Sequence, residues 1–286
     1  MGNFADWILK KEEIREYNDA LEEFYALHLD YAVSLYDDMR NNSKEHHSDL
    51  IIGLFFRELI ETLDGIRILY RENCIKPSIP ILRMIFELYL EIKFLLLDES
   101  EIENKARVYD LCIIHTEIKK LERQGIKDSV LLQEYYAERD SLFEEMSPEY
   151  QENVIKNLKN KVNDYEPKWY GVVNKKYNSL YELAKKVNEQ DLHRNFYKEL
   201  SKHAHGYMPR YRLLNKEGKN YFEPLRSPKG AALFSEYCND ILISIYALFT
   251  DYYLQENSYG RLLLFAANME VKVNKIKHLE NLIKIE

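Results

Sequence analysis

A chain of 286 residues with a formal charge of −8 is long enough for one large or two modest domains with a real core, and its acidity argues against a surface that binds nucleic acid everywhere. Nine Gly and seven Pro are too few for the turns of a strand-rich fold, so long helices with few connections are expected. Cys74, Cys112 and Cys238 lie far apart with no CxxC or Cys/His cluster, which argues against a disulfide framework or structural zinc and fits reduced cytoplasmic thiols.

The first residues, MGNFADWILKKEE, lack the basic-then-apolar order of a signal peptide, and Asp6 stands where a myristoylation motif wants Ser or Thr. Residues 4–39 carry Trp7, Ile8, Ile14, Tyr17, Leu21, Phe24, Tyr25, Leu27, His28 and Tyr31 mostly at three-to-four spacing, the mark of one long amphipathic helix. Ser43 is placed to cap the next helix, whose first turn holds His46 and His47. Adjacent histidines point to different sides of a helix, so a solvated helix start is expected there and no metal pair.

On the helix over 48–73, Arg57, Glu61, Asp64 and Arg67 form one stripe of an otherwise apolar segment. Pro77-Ser78-Ile79-Pro80 reads as a break, and the helix after it carries Arg83, Glu87 and Glu91 at i, i+4 and i+8. Two such helices side by side would satisfy one another as a salt-bridge ladder or open a polar pocket. Because charge interrupts the 79–97 run, no bilayer span is expected.

Ser100 with Glu103 fits a capping box for a helix ending at Gly125, and Ser147-Pro148 is a second start signal. Residues 160–169 read as a connection, 169–187 and 191–205 as helices. A basic loop, 207–230, follows, with Arg210, Arg212, Lys216, Lys219, Arg226 and Lys229. An apolar helix over 231–255 and a last helix over 258–286, basic and solvated in its far half, complete the chain. No strand alternation with hairpin turns is seen, so the fold expected is all-α, an irregular bundle of nine to ten helices. Three parts are expected: residues 1–42 as a dimer or partner arm, 43–257 as the helical core, and 258–286 packed on it.

No P-loop, dinucleotide fingerprint, zinc-protease or hydrolase-elbow motif occurs, and no cofactor or metal is implied. Chemistry concentrates instead in DLHRNFYKELSKHAHG, residues 191–206. Tyr197, Ser201 and His205 fall four apart on one helical face, with Arg194, His203 and the basic loop adjacent. A histidine at a helix C-terminus sits by the negative end of the dipole and can serve as acid or base on a phosphate ester. Arg and Lys would hold the developing charge. A stripe that only hydrogen-bonds across a helix interface is the architectural alternative.

Leu82-Arg83-Met84-Ile85-Phe86-Glu87 and Tyr197-Lys198-Glu199-Leu200-Ser201 with His205-Gly206 resemble the two signatures of a bacterial helical family, the domain of unknown function 5677. The resemblance covers about residues 48–206 and extends to the apolar helix beyond the loop. It implies that Arg83, Glu87, Tyr197, Ser201 and His205 are the family positions, and that His203 is not. A weaker resemblance is to the HEPN superfamily of helical ribonucleases of toxin–antitoxin and phage defence, which carry an Arg, four to six residues, then a His. Arg40 with His46 and His47 keeps that spacing, whereas Arg194 and His203 depart from it.

The expectation is therefore a defence-related cytoplasmic protein binding RNA or a nucleotide in a His/Arg pocket. There a metal-independent ribonuclease would use His205, Tyr197, Ser201, Arg83 and Glu87, and Arg194, His203, Arg210 and Arg212 would bind ligand. The rival is a non-enzymatic interaction protein acting through dimer or partner surfaces. A homodimer is expected in either case, with a protein partner open and no membrane contact.

Overall fold

The computed structural model describes residues 14–126, 129–159, 167–204, 213–216, 219–222, 229–254 and 258–283. The fold is all-α. Its helices are α1 (Arg15–Asn41), α2 (His47–Arg71), α3 (Ile75–Leu95), α4 (Ile102–Arg123), α5 (Val130–Glu144) and α6 (Pro148–Lys159), then α7 (Trp169–Val173), α8 (Leu180–Lys186), α9 (Gln190–Leu192), α10 (Lys198–Ala204), α11 (Ala231–Tyr253) and α12 (Ser258–Leu282). One short hairpin, β1 (Leu213–Lys216) with β2 (Lys219–Phe222), pairs antiparallel with Lys216 opposite Lys219. It lies in the segment expected to be loop. Four-residue strands are too short to show alternation, and the Glu217-Gly218 pair between them was the available signal.

The chain forms two compact units. Unit 1 comprises Met1–Asn42, Phe55–Tyr89 and Asp191–Glu286, and unit 2 comprises Ser43–Leu54 and Leu90–Gln190. In unit 1, α1 packs on α11 and α12. The described part of the expected α1 stripe is its core face: Tyr17, Leu21, Phe24, Tyr25, His28 and Tyr31 are buried, and Leu27 is half-buried. Among the described residues of α1, only Val33 is a large exposed apolar side chain, so the stripe is spent inside the unit.

Glu280 of α12 ties this packing together. Its carboxylate accepts from the backbone N–H of Gly230 (2.7 Å) and of Ala232 (2.8 Å), capping the start of α11, and from the Tyr17 hydroxyl. The far half of α12 is not a purely solvated basic run: Lys272 pairs with Glu23 and Lys277 with Glu236, while Met269, Val273, Ile276 and Leu279 are buried. By length and composition alone α11 is apolar enough to cross a membrane, as the core helix of a folded domain also can be. Ten of its residues, Ile241, Leu242 and Ile245 among them, are buried within the fold.

Unit 2 is built on α4, against which α5 and α7 pack, with α6 on α7. Trp169 inserts its ring beside Phe94 and Tyr109 and donates its indole N–H to Glu91 (3.0 Å). Lys105, 1% exposed, is held by Glu101 at 3.0 Å and lies over the Phe94 ring. Burial pulls its ammonium below the ordinary lysine value, against the opposing pull of Glu101.

The helix ends depart from several expectations. Asp49 gathers the N–H groups of Lys44 and His46 and the Ser43 hydroxyl, so Asp49 organises the start of α2 in place of Ser43. Asp98 caps the 3-10 turn before α4 through Ser100, and Glu103 turns away to accept from the Ser48 backbone and hydroxyl, so the Ser100/Glu103 box does not form. Pro77 and Pro80 lie within α3. Pro77 stands in the first turn, where no N–H bond is due, and only Pro80 removes a rung.

Pro148 opens α6 as expected, and Ser179 caps α8 by accepting from Glu182 N–H (3.2 Å). Helices α2, α4 and α8 end alike, with Asn73, Gly125 and Asn188 at positive φ and a backbone bond reaching back five residues (Cys74 to Leu69, Ile126 to Leu121, Glu189 to Ala184). The expected single helix over 169–187 is split by Asn174 and Ser179 into α7, a 3-10 turn and α8. The connection at 160–166 lies outside the described residues.

Candidate functional site

The expected ladder between α2 and α3 is replaced by local pairing. Arg57 bonds Glu61 one turn along α2 (2.8 Å), and both are well exposed. Arg67 bonds Asp64 of its own helix and reaches Glu22 of α1. Exposed charges lose little by pairing with a neighbour one turn away, whereas a buried ladder would require desolvating both stripes.

On α3 the Arg83 guanidinium donates through Nε to Glu87 Oε1 at 2.7 Å. The same oxygen accepts the Tyr197 hydroxyl at 2.9 Å. Arg83 also lies over the Tyr197 ring, 5.0 Å from its centroid, in cation–π geometry. Arg83, Glu87 and Tyr197, chosen from distant parts of the sequence, are thus in direct contact. The group is not sealed, since the Arg83 side chain is 26% exposed and that of Glu87 35%.

Tyr197 is placed by an irregular turn. Between α9 and α10, His193–Tyr197 form a π turn in which Lys198 N–H reaches back to His193 C=O. Within it the His193 ring stacks on Tyr197 (4.8 Å, 23°), and Phe86 packs on Tyr197 and Phe196. Burial, the Glu87 charge and the hydrogen bond to Glu87 keep the Tyr197 phenol above its ordinary value, so it serves as a neutral donor. Burial and then Lys198 hold His193 below the usual imidazole value, leaving it uncharged at neutral pH. His193 was not among the expected site residues, although its place four before Tyr197 is visible in the sequence.

Ser201 is half-buried one turn beyond Tyr197 in α10. Arg194 is exposed and pairs with Asp191 (3.6 Å). His203 is placed only by its backbone, in the last turn of α10, while His205, Arg210 and Arg212 lie outside the described residues. Of the HEPN-spaced residues, Arg40 belongs to unit 1, and His46 and His47 belong to unit 2. His47, half-buried, faces Asp110 at 3.4 Å, while His46 is exposed, as expected of a solvated helix start, and lies 3.8 Å from Glu103. Among the described residues no cluster of three or more His, Cys, Asp or Glu side chains could hold a metal ion.

The model of a family of unknown function, DUF5677, matches residues 49–221, more than half of the chain. The chain belongs to this DUF5677 family. The match takes in Arg83, Glu87, Tyr197, Ser201 and His205 and the basic segment through β2, and it stops before α11, short of the extension expected from the motifs. No curated protein and no solved structure matches the chain.

Proposed function

We propose that this DUF5677 protein binds RNA or a nucleotide through the Arg83–Glu87–Tyr197 group and the basic segment that follows α10, in a bacterial defence setting. The observation that carries the reading is a guanidinium held by one oxygen of Glu87 and stacked over Tyr197, a quarter exposed, at a π turn. Arginine still has terminal N–H groups to offer a phosphate, and a Tyr face beside it suits a base. In this reading His205 moves the proton in metal-independent cleavage, with the ribose 2′-hydroxyl as nucleophile, while Tyr197 and Ser201 orient it and Arg194, His203, Arg210 and Arg212 hold the strand.

A second reading, an interaction protein without chemistry, draws on the fact that one Glu87 oxygen takes both the Arg83 and the Tyr197 donors. The two are separated by incubating single-stranded RNA with wild type, His205→Ala and Arg83→Gln, and following both cleavage and fluorescence anisotropy. The nucleic-acid reading expects Arg83→Gln to weaken binding about tenfold, as loss of one good charged contact does, and His205→Ala to abolish cleavage while binding persists. Intact RNA and unchanged anisotropy with all three proteins, each assembling as wild type does, would leave the interaction reading.

A further inference from the structure

Unit 2 contains a cavity of about 430 Å³ between α4, α5 and α6, a size within the range of small-molecule pockets. Its chemistry is graded from one end to the other. Along α4 the lining residues are Leu111, His115 and Lys119, one turn apart on a single face. Helix α5 runs the opposite way, as the bonds Tyr136 to Glu122 and Arg107 to Glu145 fix. Arg139 and Asp140 therefore lie toward the Lys119 end and Phe143 toward the Leu111 end. Helix α6 adds Val154, Ile155 and Leu158, all apolar.

At the polar end Lys119 and Arg139 are each paired with an acid, Glu122 and Asp140, and keep N–H groups that those bonds do not use. Arg139 directs Nε (3.0 Å) and Nη2 (2.6 Å) to a single oxygen of Asp140, leaving its other nitrogen to a ligand. Lys119 gives one of its N–H groups to Glu122 at 2.8 Å. No hydrogen bond from the described residues engages the His115 ring. Burial, then Lys119 and Arg139, hold that ring below the ordinary imidazole value, so it is a neutral polar group between two cations.

We propose that this cavity binds a small amphipathic carboxylate, with its chain or ring along Leu111, Phe143 and Val154 and its carboxylate at His115, Lys119 and Arg139. A neutral lipid-like molecule would fill the apolar end equally well but would leave the spare donors unanswered. A phosphate without a tail would leave the apolar walls wet. The site shares no residue with the Arg83–Tyr197 group, so its failure and that of the nucleic-acid reading are separable.

Calorimetry on the full chain tests it, with octanoate below its micelle concentration as the probe and octan-1-ol as the uncharged control. Octanoate is expected to bind one equivalent, and octanol at least about tenfold more weakly. Arg139→Gln should lose about tenfold in octanoate affinity. Ile155→Trp, at a 45% exposed position on the wall, should fill the space and abolish binding with an unchanged melting temperature. Equal affinity for octanol, binding undiminished in a folded Ile155→Trp protein, or no heat with either probe would overturn the proposal.

Discussion

His28 and His115 both sit on apolar faces of long helices, and they have opposite surroundings. His28 is fully buried, with Phe24 edge-on at 4.8 Å and Phe265 at 5.3 Å. Its Nε2 lies 3.2 Å from Asn239 Oδ1, and since an amide oxygen only accepts, Nε2 carries the proton. Burial pushes its pKa down to about 3. His115 is half-buried at a cavity wall between two cations. The same residue type is closed into packing in the α1–α11–α12 layer and left available among α4, α5 and α6. Closure by neighbouring rings, which depends on tertiary packing, decides which.

The contrast can be broken most strongly by removing the rings that close it. Phe24→Ala in the filled layer should destabilise by about 3–5 kcal/mol, whereas Ile155→Ala beside the cavity should change stability by about 0.5 kcal/mol or less. Comparable shifts of the urea midpoint for the two variants would erase the distinction.

Acid sharpens the comparison next. The unfolded chain protonates His28 near pH 6.5 and the folded chain only near 3, so the unfolded state binds the extra proton between those values. Stability is therefore lost as pH falls through that window, on the order of 5 kcal/mol from this residue over the whole of it. Urea unfolding of His28→Phe should show a visibly flatter decline between pH 7 and pH 4 than wild type. Parallel curves would mean that His28 is not sealed. A smaller effect is expected at Glu280→Ala, which strips two N–H groups at the start of α11 of their acceptor and should cost about 1–2 kcal/mol in the same assay.

The long helices were legible because their apolar residues recur at the helical period: of the α1 stripe from Tyr17 to Tyr31, all but the half-buried Leu27 are buried. Helix ends were less so. Ser43 and Asp49, or Ser100 and Asp98, are equally good caps by type, and only the folded backbone chooses. The Arg83–Glu87 half of the site could be read from its spacing, and its contact with Tyr197 from the paired motifs. The π turn carries no compositional mark, since His193–Tyr197 reads as ordinary helix, and His193 was missed with it. Charge stripes were misread as tertiary ladders because spacing shows which side chains share a face and is silent on how far water reaches them.

The wide turn at His193–Tyr197 also fixes a phase. Ordinary helical pitch advances about 100° per residue, and a π turn advances less, so the same five residues wound at ordinary pitch would swing the Tyr197 hydroxyl around the axis and off Glu87. The width of this turn is then as much a determinant of the site as any side chain in it, and a change that wound the same residues at ordinary pitch would leave every named residue present while dismantling the arrangement.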